Sequence, residues 1–183
     1  MAYELPEDPN HAGFIGSEFF IWLWHLAEVG DGRFALGDEA WEIGFDDNIT
    51  LEGQLAEAEQ SKLKGAQPAY SPEAHQALQL GKRVSKARLR LSRGDQNWFM
   101  TGDSRTLSLS AVKVPSALSA ADEGAFAERM MLLEELDRAW HGVYGLFLRD
   151  RVAGSWNDIL ATIKTWIETP LATTRHDEAP FDF

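Results

Sequence analysis

Apolar and polar positions along the chain follow three rhythms. Residues 19–26, FFIWLWHL, are apolar almost without a break. A helix apolar on most sides is one buried on most sides, so this run predicts a central core helix. Ser17 is placed to cap it, Glu18 falls in a first turn where the helix dipole favours an acid, and Gly30-Asp31-Gly32 ends it, giving a helix over 17–29. Short β-type runs follow at 34–36, 41–45 and 49–51, separated by the turn-like pairs and triplets Gly37-Asp38 and Asp46-Asp47-Asn48. A further strand is expected over 61–64. Ser71-Pro72 reads as an N-cap with proline at the first helical position, opening a second helix over 72–85. Ala87, Leu89 and Leu91 then alternate with Lys86, Arg88 and Arg90, the period of a half-buried strand. Strands over 98–101 and 106–114 complete this part, and Pro115 closes it.

Beyond Pro115 the period lengthens to three and four. Phe126, Met130, Leu133, Leu136, Trp140, Val143, Tyr144 and Phe147 mark one face of a long helix over 121–149. Gly142 and Gly145 within it suggest a bend or a close crossing. Ser155 precedes a last amphipathic helix carrying Trp156, Ile159, Leu160, Ile163, Trp166 and Ile167. The pattern predicts an α+β fold: a mostly antiparallel sheet with helices 17–29 and 72–85 packed on it, then a C-terminal helical pair. The organisation reads as an N-terminal arm (1–15), an α+β domain (16–115), a helical part (121–169) and an acidic tail (171–183). DNITL at 47–51 and DSRTL at 103–107 hint at a duplicated αββ unit. Trp22, Trp24, Trp140, Trp156 and Trp166 are expected in the core, with Met130 and Met131 filling gaps there. An apolar stripe left exposed on the last two helices would instead mark a protein interface.

Composition narrows the chemistry. The 183 residues include no cysteine, which excludes disulfides, thiolate zinc sites and a cysteine nucleophile and fits a reducing, cytoplasmic setting. The polar, acidic start MAYELPEDPNHAGF is unlike a secretory signal, and residues 19–26 fall short of a membrane span. The five histidines show no metal-ligand spacing, and phosphate-loop and nucleophile-elbow motifs are absent. His25 reads as a core histidine. Asp46 and Asp47 read as a polar turn before they read as metal ligands. The glycines of GFIGSEF are explained by the start of a helix. A non-enzymatic protein without cofactor or metal is the expectation, with a nuclease-type site at Asp46 and Asp47 the weakest rival.

Charge changes the picture most. The net charge is −12, which by itself disfavours nucleic acid. Residues 62–93, however, hold eight Lys and Arg against the single acid Glu73, a net +7, while the remaining nine bases and 28 acids net −19. Lys82, Arg83 and Lys86 are expected at a helix end, Arg88 and Arg90 on one strand face, and Arg93 at the following turn. Gathered on one surface, these cations would contact phosphates, and Trp98 on the paired strand would stack on a base. The competing readings are a solvated face, a charge-protected sheet edge, or partners for the chain's own acids at a subunit contact. The tail, DEAPFDF, offers a second candidate. Asp177 and Glu178 would meet a basic rim while Phe181 and Phe183 fill apolar pockets of a partner protein, as in the acidic tips of bacterial single-stranded-DNA-binding proteins.

The segments GSEFFIWLWHLAE, DDNITLEG, SKLKG, SPEAHQALQLGKRVSKARLRL, DSRTLSLSAVKVP and ERMMLLEELD resemble, in that order, the carboxyl-terminal part of bacterial recombination-associated, RdgC-like proteins. The resemblance spans residues 16–137. It implies a DNA-binding module of recombination or repair, acting as a homodimer or with a partner protein that supplies a missing N-terminal portion. The alternative is a protein-interaction adaptor without nucleic-acid contact.

Overall fold

The computed structural model describes residues 12–53, 60–65, 69, 71–119 and 121–169. The elements, in chain order, are α1 (Ala12–Val29), β1 (Arg33–Leu36), β2 (Glu39–Glu52), β3 (Ser61–Lys64), α2 (Pro72–Gln79), β4 (Arg83–Arg93), β5 (Gln96–Asp103), β6 (Leu109–Lys113), α3 (Asp122–Val152) and α4 (Trp156–Glu168). The six strands form one antiparallel sheet in the order β1-β2-β4-β5-β6, with β3 paired to the far half of β2. The fold is α+β, with helices on the sheet and a C-terminal helical pair. Among the described residues no helix is long and apolar enough to cross a membrane.

The expected core helix is central. α1 lies on β2 and β4 and is covered in turn by α3 and α4. Phe19, Phe20, Leu23 and Trp24 have no exposed surface. Phe19 packs its ring against those of Trp140, Tyr144 and Phe147, and Trp24 packs against Phe45, His75 and Trp166. A helix between a sheet and two helices needs apolar residues around most of its circumference, which explains why residues 19–26 lack a helical period. α1 begins earlier than the sequence suggests. Ser17 is therefore inside the helix and caps nothing. Glu18 is buried, and its Oε2 accepts from Nε of Arg151 at 2.7 Å. Gly16 is likewise interior: a Cβ there would stand 1.7 Å from the carbonyl oxygen of Ser104. Close crossing, not the start of a helix, explains that glycine.

Two further boundaries differ from expectation. Asp46-Asp47-Asn48 is not a hairpin turn, because β2 runs straight through it. Phe45 faces Leu89 and Ile49 faces Ala87, so four steps on β2 match two on β4. The surplus polar residues are absorbed as a bulge. The second helix stops at Gln79, not at residue 85. Gly81 takes φ +80, its amide donates to the Leu78 carbonyl, and the Lys82 amide reaches back to that of Ala77. This left-handed cap ends the helix and starts the strand. Its N-terminus is as read: the Ser71 hydroxyl accepts from the Ala74 amide at 3.2 Å, with Pro72 first in the helix.

α3 is continuous through Gly142 and Gly145 and about 46 Å long. Leu132, Leu136, Ala139, Trp140, Val143 and Phe147 bury one side of it from residue 132 onward. Gly142 marks a close crossing, since a Cβ there would lie 2.6 Å from Leu36 of β1. The stretch before Leu132 extends past the core. Phe126 is 68% exposed and Met131 64%, and Met130 and Leu133 are also exposed. Met130 and Met131 are thus surface residues, contrary to the core role expected of them. Ser155 occupies the cap position of α4 without a capping hydrogen bond. The element order α-β-β-β occurs twice, yet DNITL lies inside β2 whereas DSRTL leaves β5 for a turn.

Candidate nucleic-acid interface

The sheet has one covered face and one open face. Alternation on β4 sets which is which. Ala87, Leu89 and Leu91 are buried under α1, and Lys86, Arg88 and Arg90 point away from it. No described element packs on the outer side. Cross-strand register assembles the outward residues into rows. Gly44, Arg90, Phe99 and Lys113 form one, and Arg88, Thr101 and Ser110 the next. A third contains Lys62, Thr50, Lys86 and Asp103, with Asn48 and Lys64 beyond. Lys62, Lys64, Lys86 and Arg105, with Glu52 and Asp103, line a depression of about 390 Å³ at that end of the face.

Several of these cations have acidic neighbours. Nζ of Lys86 lies 3.4 Å from Asp103, Nη2 of Arg90 lies 3.3 Å from Glu42, and Arg105 pairs with Glu52. Burial raises the cost of ionising Asp103, but amide hydrogen bonds from Arg105 and Thr106, together with Lys86, outweigh it and hold the carboxyl below its ordinary value. Arg88 donates to the Ala111 carbonyl at 2.8 Å and lies over Phe99, 6.0 Å from the ring centre. Lys62, Lys64, Arg88 and Lys113 have no carboxylate partner among the described residues.

The expected patch is thus divided. Lys86, Arg88 and Arg90 share the open face. Lys82 lies in the left-handed cap that ends α2, as expected, whereas Arg83 is the first residue of β4 and Lys86 lies within that strand. Lys82 donates to the Ser61 hydroxyl at 2.7 Å, and Arg83 stands opposite Glu52. Arg93 is elsewhere. Its guanidinium reaches Glu39 at 3.0 Å and Glu135 of α3 at 2.9 Å and lies over the rings of Trp41 and Trp98. It clamps the helical layer to the sheet and is committed to that task.

Trp98 is a correction. It is fully buried against Trp41, and its indole Nε1 donates to the Leu132 carbonyl at 2.9 Å, so no base can stack on it. The aromatic on the open face is its neighbour Phe99, which sequence reasoning passed over. The signal was present: Gly94-Asp95 makes a two-residue hairpin that pairs Leu91 with Trp98. Paired residues share a face, so an inward Leu91 requires an inward Trp98. Lys62, Lys64, Lys113 and Arg105 join the site only through sheet pairing and the loop after β5.

Asp46 and Asp47 lie in the β2 bulge, and no group of three His, Asp or Glu able to hold a metal occurs among the described residues. Asp177, Glu178, Phe181 and Phe183 lie outside the described residues, as do His11 and His176. No protein-family model matches the chain, and no curated protein matches it.

Proposed function

We propose that this chain is a non-catalytic module that binds the phosphate backbone of DNA on the open face of its sheet. The observation that carries the reading is that face itself: uncovered by any described element, and bearing Lys62, Lys64, Arg88 and Lys113 without carboxylate partners among the described residues. These cations span β3 to β6, about 19 Å at a strand spacing of about 4.8 Å. The ion pairs beside them do not close the surface. Arg90 and Glu42 are 47% and 44% exposed, and such pairs are worth about 0–1 kcal/mol, so a phosphate competes readily with the acid. The acidic remainder of the molecule confines contact to this one face by repelling phosphate everywhere else. Assignment to recombination or repair follows the RdgC-like resemblance of residues 16–137.

The adaptor reading draws on a different observation. The N-terminal part of α3 exposes Phe126, Met130 and Leu133 at i, i+4 and i+7, an apolar strip of the kind that seats a protein partner. Fluorescence anisotropy with labelled DNA at two salt concentrations separates the two. Replacing Lys62, Lys64, Arg88 and Lys113 by Ala should weaken binding at least about tenfold and flatten the log–log salt slope by roughly 3. Unaltered binding by this variant rejects the surface. Absence of DNA affinity at low salt, with a protein retained through purification, establishes the adaptor.

A further inference from the structure

We infer that the ligand of the open face is single-stranded DNA, with one unpaired base stacked on Phe99; the inference rests on the phosphate-binding reading above. Phe99 is the one aromatic among the described outward positions of the sheet. It stands on β5 with Arg90 directly across on β4 and Lys113 directly across on β6. Its ring is half-buried and takes no part in the hydrophobic core. A large apolar ring at the centre of a cationic sheet face gains little from folding, because it stands outside the core and no described element packs over it. It is suited to a planar partner that arrives already attached to phosphates.

The surroundings fit a base. Arg88 sits over the ring, positioned by the carbonyl of Ala111. Ala111 adopts φ +48, a left-handed conformation costly for a residue with a Cβ, at the point where β6 slips register against β5. The bulge keeps Lys113 opposite Phe99 and turns the carbonyl toward Arg88. At 6.0 Å from the ring centre, the guanidinium leaves part of the ring open. In the same row Gly44 presents no side chain, and a Cβ there would meet only the tip of Arg90, at 3.7 Å. The row therefore has cations on both sides of the ring and low ground beyond Arg90.

Strand form follows from geometry. A ring on a flat sheet reaches the face of a base only if that base is out of a duplex, since duplex bases cover one another's faces. Sheet aromatics flanked by cations bind single strands by stacking and backbone contact together. A duplex laid on this face would use the lysines and arginines and leave Phe99 idle.

The test compares a short labelled oligothymidine with a fully paired duplex of the same length, using the intact chain. The wild-type protein should bind oligothymidine more tightly. Phe99→Ala should weaken that binding about tenfold while leaving duplex binding and the salt slope as they were, and Phe99→Trp should restore it. Thermal melting checks that each variant is folded, which the outward position of the residue favours. Equal losses on single strand and duplex, or no loss on either, would overturn the stacking role while the phosphate reading stands. Binding of neither form by the wild type at low salt would overturn both.

Discussion

His25 and His75 sit with Glu28 and Trp166 where α1 meets α2 and α4. The Trp166 ring lies 5.5 Å from that of His25 and 5.0 Å from that of His75. Nε2 of His75 is 3.1 Å from Glu28, whereas the buried Nε2 of His25 has no hydrogen-bond partner. Burial pushes the His25 imidazole below its ordinary value, against the opposing pull of the Glu28 carboxylate. A base whose folded value is depressed binds fewer protons folded than unfolded. Its contribution to stability is therefore present above the unfolded value near 6.5 and is lost as pH falls toward the folded value. Urea midpoints should drop between pH 7 and pH 5, and the drop should shrink in His25→Gln; an identical pH dependence in the variant would sink this account. The sequence marked His25 as a core histidine; in the fold it is half-buried. The ring it packs against, that of Trp166, comes from α4, far along the chain.

At the scale of elements, two glycines of similar helical setting have opposite consequences. Gly16 of α1 faces the Ser104 carbonyl at a distance that excludes any Cβ, so Gly16→Ala should cost about 3 kcal/mol by forcing the helix off the β5–β6 loop. Gly145 of α3 is exposed with nothing within 4 Å of a built Cβ, so Gly145→Ala should gain about 0.5–1 kcal/mol from helix propensity alone. Chemical denaturation reads both, and equal effects would refute the packing argument. Neither outcome was legible in the sequence, which read Gly16 as part of a helix start and Gly145 as a bend or a close crossing. Strand identity was far more legible, because alternation in residues 87–91 is a local consequence of burying one face. The β2 bulge was hidden because Asp46-Asp47-Asn48 has turn composition, and only pairing along the whole length of β4 keeps it extended.

Across the whole molecule, one ion pair joins α1 to the end of α3. Glu18 is 2% exposed, and Arg151, separated by 133 positions, covers it from the end of α3 while lying over Trp156. Removing one partner strands a buried charge. Arg151→Met should cost about 3–5 kcal/mol, and adding Glu18→Leu should recover much of that loss. A thermal shift in the double variant as large as in the single one would count against the pair as the cause. The same tertiary logic governs the candidate site. Residues 62–93 carry the charge asymmetry in plain sight, but facing directions come from the assembled sheet. Arg93 is turned to α3, Trp98 inward and Phe99 outward, while Lys62, Lys64 and Lys113 arrive from other strands. What the sequence determined by itself was whatever depends on neighbours along the chain: the α+β class, most strands, the Ser71 cap and the concentration of cations. What the tertiary structure decided was which face each side chain meets and which acid lies beside it. Pairing register and helix packing join residues scores of positions apart, and no local period encodes those distances.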